Sequence, residues 1–150
     1  MDAVVIVLAL QNMKNIIGVI TEIKRMLKDT GRAIIVLNHP TFRVPKASDW
    51  GFDEKFKEQY RRVGKYLSEF EVAIDMHPGD TSAKKKTSIT RSFHRSLQVY
   101  MKNFAKEGLA ITRLEEWISH KQSQKGPRQL AEDTARKEIP LFMCIELKKI

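Results

Sequence analysis

The sequence of 150 residues has one cysteine, no long apolar run and no phosphate-binding glycine motif, and each absence narrows its possible functions. Because Cys144 is the only cysteine, an intramolecular disulfide is excluded and a reducing, cytoplasmic location is expected. No apolar run reaches about eighteen residues, so we expect neither a membrane-spanning helix nor a membrane partner. The histidines and the cysteine are too scattered along the chain to predict a metal site.

The glycine patterns that cradle nucleotide phosphates are also missing. Neither Gly-x-Gly-x-x-Gly nor Gly-x-x-x-x-Gly-Lys-Ser/Thr occurs in the sequence. In a doubly wound sheet, a glycine-rich turn after the first strand lets the backbone approach the cofactor. We therefore expect the first strand here to be the fourth of a larger open sheet, with the chain starting partway through that fold.

Basic residues are in excess. The net charge is +9 and the isoelectric point is near 9.7, which indicates nucleic acid or an anionic substrate as a possible partner. The positive residues are spread along the chain, and only Lys84-Lys85-Lys86, followed by Arg91 and Arg95, forms a local cluster. A solvated loop is the more common explanation of such a run.

The first 39 residues predict a βαβ unit. Residues 3–10 form a continuous apolar run rich in β-branched residues, typical of a strand covered on both faces in a parallel sheet. Apolar residues then recur at helical spacing from Ile16 to Leu27. Residues 32–37 are a second buried strand, which we expect to lie parallel to the first through a right-handed crossover.

Residues 40–95 are more polar and aromatic, and are expected to form an insertion on the substrate side of the sheet. A helix is predicted from Asp53 to Leu67, with Asp53 as its N-cap. Phe70–Met76 and Thr87–Phe93 alternate between apolar and polar residues and predict a β-hairpin, joined by the charged segment His77–Lys86.

Residues 96–150 return to regular structure, with a predicted order of helix, strand and strand. Ser96–Glu107 has the helical pattern and Leu109–Trp117 alternates as a strand, with some slippage. Gln122–Arg136 is expected to be a polar connection, and Pro140–Leu147 to be a buried, antiparallel last strand. The prediction is a single α/β domain over residues 1–150.

Five segments in this order carry a resemblance to a known family: Asp2–Asn12, Leu27–Pro40, Phe93–Tyr100, Glu107–Glu116 and Glu138–Phe142. Together they resemble the C-terminal half of a class I S-adenosylmethionine-dependent methyltransferase of the type that acts on small molecules. The resemblance covers essentially the whole chain. It implies a Rossmann-like open sheet, of which this is the C-terminal half only, and methyl transfer to a small-molecule acceptor.

The resemblance also implies site residues. The segment after the first strand lies beside the methionine part of the cofactor in that family, which implies cofactor-binding roles for Leu8, Leu10 and Gln11. The residues after the second strand and the hairpin hold the methyl acceptor, which implies substrate-binding roles for Asn38, His39, Arg43, His94 and Arg95. The family's glycine-rich turn and its ribose-binding acidic residue have no counterpart here, so this chain alone is expected to bind S-adenosylmethionine weakly or not at all.

Several of these residues have a structural alternative. His39 precedes a proline at a strand end, where its imidazole could be a general base or could hydrogen-bond the turn. His94 and Arg95 could hold an anionic substrate through the guanidinium fork, or cap the following helix. Gln11 and Asn12 could be turn and cap residues.

The predicted half-sheet has consequences for partners. The strand Ala3–Leu10 would keep one edge unpaired, and such edges recruit other strands. We therefore expect self-association through this edge, or a partner chain that supplies the N-terminal half. The alternatives to an enzyme are a non-catalytic truncated or split partner subunit, or a basic nucleic-acid-binding domain.

Overall fold

The computed structural model describes residues 1–75 and 89–150, and within them the chain has the predicted α/β architecture. The strands are β1 (Ala3–Val7), β2 (Arg32–Asn38), β3 (Ser48–Asp53), β4 (Glu58–Val63), β5 (Phe70–Asp75), β6 (Ile89–His94), β7 (Leu109–Trp117) and β8 (Phe142–Lys149). The helices are α1 (Ile16–Met26), α2 (Leu97–Lys106) and α3 (Gln129–Glu138), with a single 3-10 turn at Leu10–Asn12.

The main sheet has the strand order β1-β2-β8-β7. β1 and β2 are parallel, with Ala3 opposite Arg32 and Val7 opposite Val36, which confirms the predicted βαβ pairing. β8 is antiparallel to both of its neighbours, β2 and β7, so the predicted antiparallel last strand is also confirmed.

The core lies between this sheet and two helices. Alternate residues of a strand point to the same face, so Ala33, Ile35 and Leu37 of β2 share one face. They join a buried cluster that includes Ile16, Ile20 and Ile23 of α1, Tyr100 and Phe104 of α2, and Met143, Ile145 and Leu147 of β8. α1 begins at Asn15, whose side chain accepts a hydrogen bond from the N–H of Gly18.

The prediction that the first strand is covered on both faces is wrong for this chain. Val4 and Ile6 pack against the core, but Val5 and Val7, on the opposite face, are 59% and 58% exposed. β1 lies at the edge of the sheet and pairs, among the described residues, only with β2. An apolar run therefore identified the strand correctly, but not how much of it is covered within this chain.

The helix predicted from Asp53 to Leu67 is also wrong, because this segment contains the turn and the second strand of the antiparallel hairpin β3–β4. The carboxylate of Asp53 accepts hydrogen bonds from the N–H groups of Lys55 and Phe56, as a helix N-cap would. Instead of continuing as a helix, the chain reverses at Lys57, which has a positive φ of 54°. Asp side chains make the same local hydrogen bonds in turns and at helix starts, so Asp53 alone could not distinguish the two.

The second predicted hairpin is confirmed for the described residues. β5 and β6 are antiparallel, with Phe70 opposite His94 and Asp75 opposite Ile89. The predicted charged connection His77–Lys86, with its three lysines, and the adjoining residues of both arms lie outside the described residues. The hairpin places His94 and Arg95 directly before α2.

A helix in the C-terminal part lies where the sequence predicts a polar connection. Residues 129–138 form α3, which buries Ala135. α2 and β7 lie where they were predicted, and β7 has a register irregularity between Ile111 and Arg113. Within the described residues, none of the helices has the length and apolar character needed to cross a bilayer.

Candidate functional site

Polar side chains from separate parts of the sequence meet beside the carboxyl ends of β1 and β2. Parallel strands end at the same edge of a sheet, which is where open α/β sheets bind ligands. A small pocket of about 20 Å³ lies there. Its lining includes Gln11 from the turn after β1, Asn38 and Arg43 from the end of β2 onward, and Ser92, His94, Arg95 and Tyr100 from β6 and α2.

The structure therefore brings five of the predicted site residues together: Gln11, Asn38, Arg43, His94 and Arg95. Leu10 does not line the pocket, because its side chain is fully buried in the core. Leu8 is partly exposed at the end of β1 and has a positive φ of 51°, a conformation that costs free energy for a leucine. Strain of this kind is concentrated at functional turns.

The buried side chain of Gln11 stabilises the strained turn at Leu8. Its Nε2 donates a hydrogen bond of 2.8 Å to the carbonyl oxygen of Leu8, and its side chain is buried. The α1 helix cap is Asn15, so neither Gln11 nor Asn12 has the cap role considered from the sequence. The Oε1 atom of Gln11 is buried without a hydrogen-bond partner among the described residues.

Arg95 is a buried charge whose hydrogen-bonding capacity is partly used. Its Nη2 donates to the carbonyl oxygens of Met13 and Lys14, at 3.0 and 2.7 Å, and Nε lies 4.0 Å from the carboxylate of Glu69. Its guanidinium carbon also lies 5.3 Å from the ring centroid of Phe93. Nη1 has no partner within hydrogen-bond geometry among the described residues, although the Tyr100 hydroxyl lies near the guanidinium, so one corner of the guanidinium at most, rather than the whole predicted fork, is open to a ligand.

The His94 ring is fixed by its neighbours. Its Nε2 lies 2.8 Å from the carbonyl oxygen of Tyr66, and because a carbonyl only accepts, Nε2 carries the hydrogen. The ring packs against Phe70, with 5.1 Å between centroids. The start of α2 is bonded instead by Tyr66, whose hydroxyl accepts the N–H of Leu97. The capping alternative considered for His94 therefore belongs to Tyr66.

His39 lies at the same edge of the sheet but outside the pocket lining. Its Nδ1 accepts the backbone N–H groups of Thr41 and Phe42, at 3.2 and 3.4 Å. Its Nε2 lies 2.8 Å from Oε1 of Glu116 on β7 and therefore donates to that carboxylate. Both ring nitrogens are engaged, which favours the turn-stabilising alternative over an unoccupied general base.

Positive charge dominates the pocket. Arg43 is exposed as a whole residue, but desolvation of its guanidinium by neighbouring groups lowers its pKa. Its guanidinium carbon lies 5.1 Å from the ring centroid of Phe142. No carboxylate of the described residues lies within ion-pair distance of Arg43, so the pocket carries an uncompensated positive charge suited to an anion.

Sequence reasoning did not assign Ser92, Tyr66, Glu116 or Tyr100 to this site. Ser92 and His94 share one face of β6, and the alternation of that strand could have indicated the pair. Glu116 is on a strand distant in sequence and carried no local signal. Within the described residues, no group of histidine, cysteine or acidic side chains could hold a metal ion.

Solved structures share this fold. An S-adenosylmethionine-dependent methyltransferase from Mesorhizobium loti matches 99% of this chain with a TM-score of 0.70 and 20% identity, and the match covers 62% of that protein. A Listeria monocytogenes protein assigned to the same class matches with the same TM-score and identity and is covered over 61% of its length. The glycopeptide N-methyltransferase MtfA, solved with S-adenosyl-L-methionine, matches the whole chain with a TM-score of 0.55 and 12% identity and is covered over 58%.

No protein-family model and no curated protein sequence matches the chain. At identities of 20% or less, the structural matches establish the fold. The chain spans about three-fifths of the length of each of these methyltransferases. Its architecture is that of a partial S-adenosylmethionine-dependent methyltransferase domain.

Proposed function

We propose that this chain takes part in methyl transfer from S-adenosylmethionine to a small-molecule acceptor. The observation that carries the proposal is the pocket in which Gln11, from the predicted cofactor side, meets Asn38, Arg43, His94 and Arg95, from the predicted acceptor side. Methyl transfer needs mainly alignment of the acceptor with the methyl group and exclusion of water. A small pocket between the two predicted sides is a place where these two conditions could be met in the complete enzyme.

In this proposal, Leu8 and Gln11 lie beside the methionine part of the cofactor, and Leu10 contributes to this part of the site only indirectly. Leu10 acts from within the core by fixing the turn, and Leu8 is accessible at the strand end. Arg43 and Arg95 supply positive charge on the acceptor side. The neighbours that bind S-adenosylmethionine, S-adenosylhomocysteine or sinefungin support a cofactor of this type for the fold.

His39 is the proposed base where the acceptor must lose a proton. In this structure, proton transfer through His39 requires Nδ1 to exchange its hydrogen bonds from Thr41 and Phe42 for the acceptor. If His39 is the base, His39→Ala lowers kcat by about two orders of magnitude in the complete enzyme. An unchanged kcat assigns His39 to the turn.

The complete enzyme is proposed to need the N-terminal half of the fold. Residues 1–150 contain no glycine-rich turn, and the solved neighbours are covered over only 61–62% of their length. The proposed docking place is the free edge of β1. The Leu8 N–H and the Asp2 carbonyl face β2, so in the alternating pattern of a strand the backbone groups of Val5 and Val7 face the open edge.

The test combines this chain with a polypeptide that supplies the N-terminal half, and measures transfer of a labelled methyl group to a panel of small molecules. Arg95→Lys is expected to raise the acceptor KM more than it changes cofactor affinity, because lysine cannot reproduce the guanidinium geometry. Restored cofactor binding without methyl transfer to any acceptor would contradict the catalytic proposal and favour a non-catalytic partner subunit.

A second candidate function follows from the net charge of +9. A basic nucleic-acid-binding domain would bind RNA or DNA with an affinity that falls steeply with salt, and without the cofactor. Binding of this kind, together with no methyl transfer in the complemented complex, would favour this alternative. For either function the proposed location is cytoplasmic, because Cys144 is the sole cysteine.

A further inference from the structure

Two side chains that line the pocket each leave one polar atom unsatisfied. Arg95 and Gln11 are only 7% and 8% exposed, and Nη1 of Arg95 and Oε1 of Gln11 have no hydrogen-bond partner among the described residues. Buried polar atoms in folded proteins nearly always have a partner, and leaving one unpaired costs free energy. Two such atoms at one small pocket require a shared partner, which is either a bound water or a polar group of a ligand.

The two atoms need different hydrogen-bond partners. Nη1 of Arg95 can only donate a hydrogen bond, since arginine stays charged. Oε1 of Gln11 can only accept one, and the orientation of its amide is fixed because Nε2 donates to the Leu8 carbonyl. Rotating the amide would place two oxygen atoms together. The ligand must therefore bring one acceptor and one donor.

The charge and the size of the pocket further restrict which ligands can bind. Arg43 adds a second positive charge to the lining, and the carboxylate nearest to Arg95, that of Glu69, is 4.0 Å away. The acceptor group is therefore expected to be an anion. The enclosed space of about 20 Å³ is close to the minimum for one water molecule, so a ligand can place inside it only the atoms that meet Nη1 and Oε1, with the rest at the open side of the pocket. A planar carboxylate meets this limit better than a tetrahedral phosphate or sulfate.

We infer that this pocket binds a carboxylate whose neighbouring carbon carries a hydroxyl or ammonium group. One carboxylate oxygen accepts the hydrogen bond from Nη1 of Arg95, and the hydroxyl or ammonium donates to Oε1 of Gln11. This inference rests on the proposed methyl-transfer function, because it names the chemical class of the ligand that the pocket binds in that reaction. The remainder of the ligand lies outside the mouth of the pocket.

Two molecules of the proposed reaction could present this group. One is a methyl acceptor that is a 2-hydroxy or 2-amino acid. The other is the methionine end of S-adenosylmethionine, which has a carboxylate beside an ammonium group. The shared chemistry is the same, and a comparison of probe molecules distinguishes the two sources.

The experiment is an NMR titration of the full chain, without cofactor, that follows the side-chain signals of Gln11 and Arg95. Glycolate, glycine and L-methionine are expected to shift both sets of signals saturably. Acetate, which lacks the donor, is expected to bind about fivefold more weakly. Methionine binding well above that of glycolate and glycine assigns the pocket to the cofactor, and comparable or weaker methionine binding assigns it to the acceptor.

Variants separate binding from folding. Arg95→Gln is expected to weaken glycolate binding by about 10- to 100-fold, while Arg91→Gln, an exposed arginine near it on β6, leaves binding unchanged. Because Arg95 holds the Met13 and Lys14 carbonyls and Gln11 holds that of Leu8, Gln11→Leu provides a second check in which acetate binding reports whether the turn stays intact. In Gln11→Leu, glycolate affinity is expected to fall to that of acetate, with acetate unchanged.

Two results overturn the inference: no saturable shift of the Gln11 and Arg95 signals with any probe, or acetate binding as tightly as glycolate and glycine. The titration uses no cofactor, so its outcome is independent of the methyl-transfer assay. If the chain binds these probes but supports no methyl transfer, the carboxylate pocket is confirmed and the proposed function is contradicted. If a complemented complex transfers methyl groups but the chain binds none of the probes, only the pocket assignment is contradicted.

Discussion

Nε2 of His39 and Oε1 of Glu116 form a 2.8 Å hydrogen bond that joins the turn after β2 to β7. The His39 ring is buried, whereas the Glu116 side chain is 51% exposed. The two ends of this bond therefore differ in how easily water can replace them. That difference predicts unequal effects of mutating the two residues.

We expect Glu116→Ala to lower the free energy of unfolding by about 0.5 kcal/mol, because water can take the place of an exposed carboxylate. His39→Ala is expected to cost about 2–3 kcal/mol, since it leaves a cavity and removes the acceptor of two backbone N–H groups. Urea denaturation measures both. Glu115→Ala, on the opposite face of β7, is the control and is expected to stay below about 1 kcal/mol. Equal losses for His39→Ala and Glu116→Ala would show that the hydrogen bonds from Thr41 and Phe42 to His39 contribute little to the stability of the turn.

Tyr100 makes the stability depend on alkaline pH. Burial raises the pKa of its phenol above the usual 10.0, although Arg95 nearby opposes the shift. A raised folded-state pKa contributes stability that is complete below the unfolded pKa and is lost as the pH rises through the folded pKa. Tyr100→Phe should therefore lose less stability than the wild type above about pH 10, measured by thermal unfolding across the pH series. The control is Tyr60→Phe at an exposed ring, which should follow the wild type; identical curves for all three chains would refute the prediction.

Gly51 and Tyr60 face each other across the β3–β4 hairpin. A Cβ atom at Gly51 would overlap the Tyr60 ring. Gly51→Ala should displace the ring and lower the free energy of unfolding by about 1 kcal/mol. In a Tyr60→Ala background the same substitution should cost less, and a double-mutant cycle measures the difference. Additive effects would show that the ring does not occupy this position.

Cofactor binding by the isolated chain should be weak. Because the sequence lacks the glycine-rich turn, isothermal titration with S-adenosylmethionine is expected to show no micromolar binding. Adding the N-terminal half, as a separate chain or fused ahead of residue 1, should restore it. A clear micromolar isotherm with the chain alone would contradict this prediction.

The exposed face of β1 should promote self-association. Val5 and Val7 are apolar and exposed at an unpaired edge, without the charge or proline that usually blocks strand pairing. Val5→Lys should shift sedimentation toward the monomer. Ile89→Lys, which changes an exposed isoleucine of the β5–β6 hairpin, should not. A wild-type chain that remains monomeric at high micromolar concentration, with the β1 amides protected from exchange, would rule out the edge as an association site.

The apolar periodicity predicted the elements that make the core. Ile16, Ile20 and Ile23 identified α1, and the β-branched runs identified β1 and β2. Helix α3 escaped this signal because it buries only Ala135, and Leu130 is exposed. Its signal was helix propensity instead, in a stretch of strong helix formers after Pro127.

The site was predictable only where strand ends marked it. Gln11, Asn38 and Arg95 follow or end strands, so their approach to one another could be inferred from parallel pairing and the resemblance. The hydrogen-bond partners of the individual atoms of these residues could not be inferred from the sequence. The choice of Met13 and Lys14 carbonyls by Arg95, and of Glu116 by His39, depends on backbone positions far apart in sequence.

The position of β8 also determines when the sheet can form during protein synthesis. β8 is the last strand in sequence, yet it lies between β2 and β7 and supplies Met143, Ile145 and Leu147 to the core. Until residues 142–149 have been synthesised and have left the ribosome, β2 and β7 lack the strand that joins them. β1 and β2 can pair before that point, whereas β7 joins the sheet only once β8 is present, so the four-stranded sheet is completed in a late step.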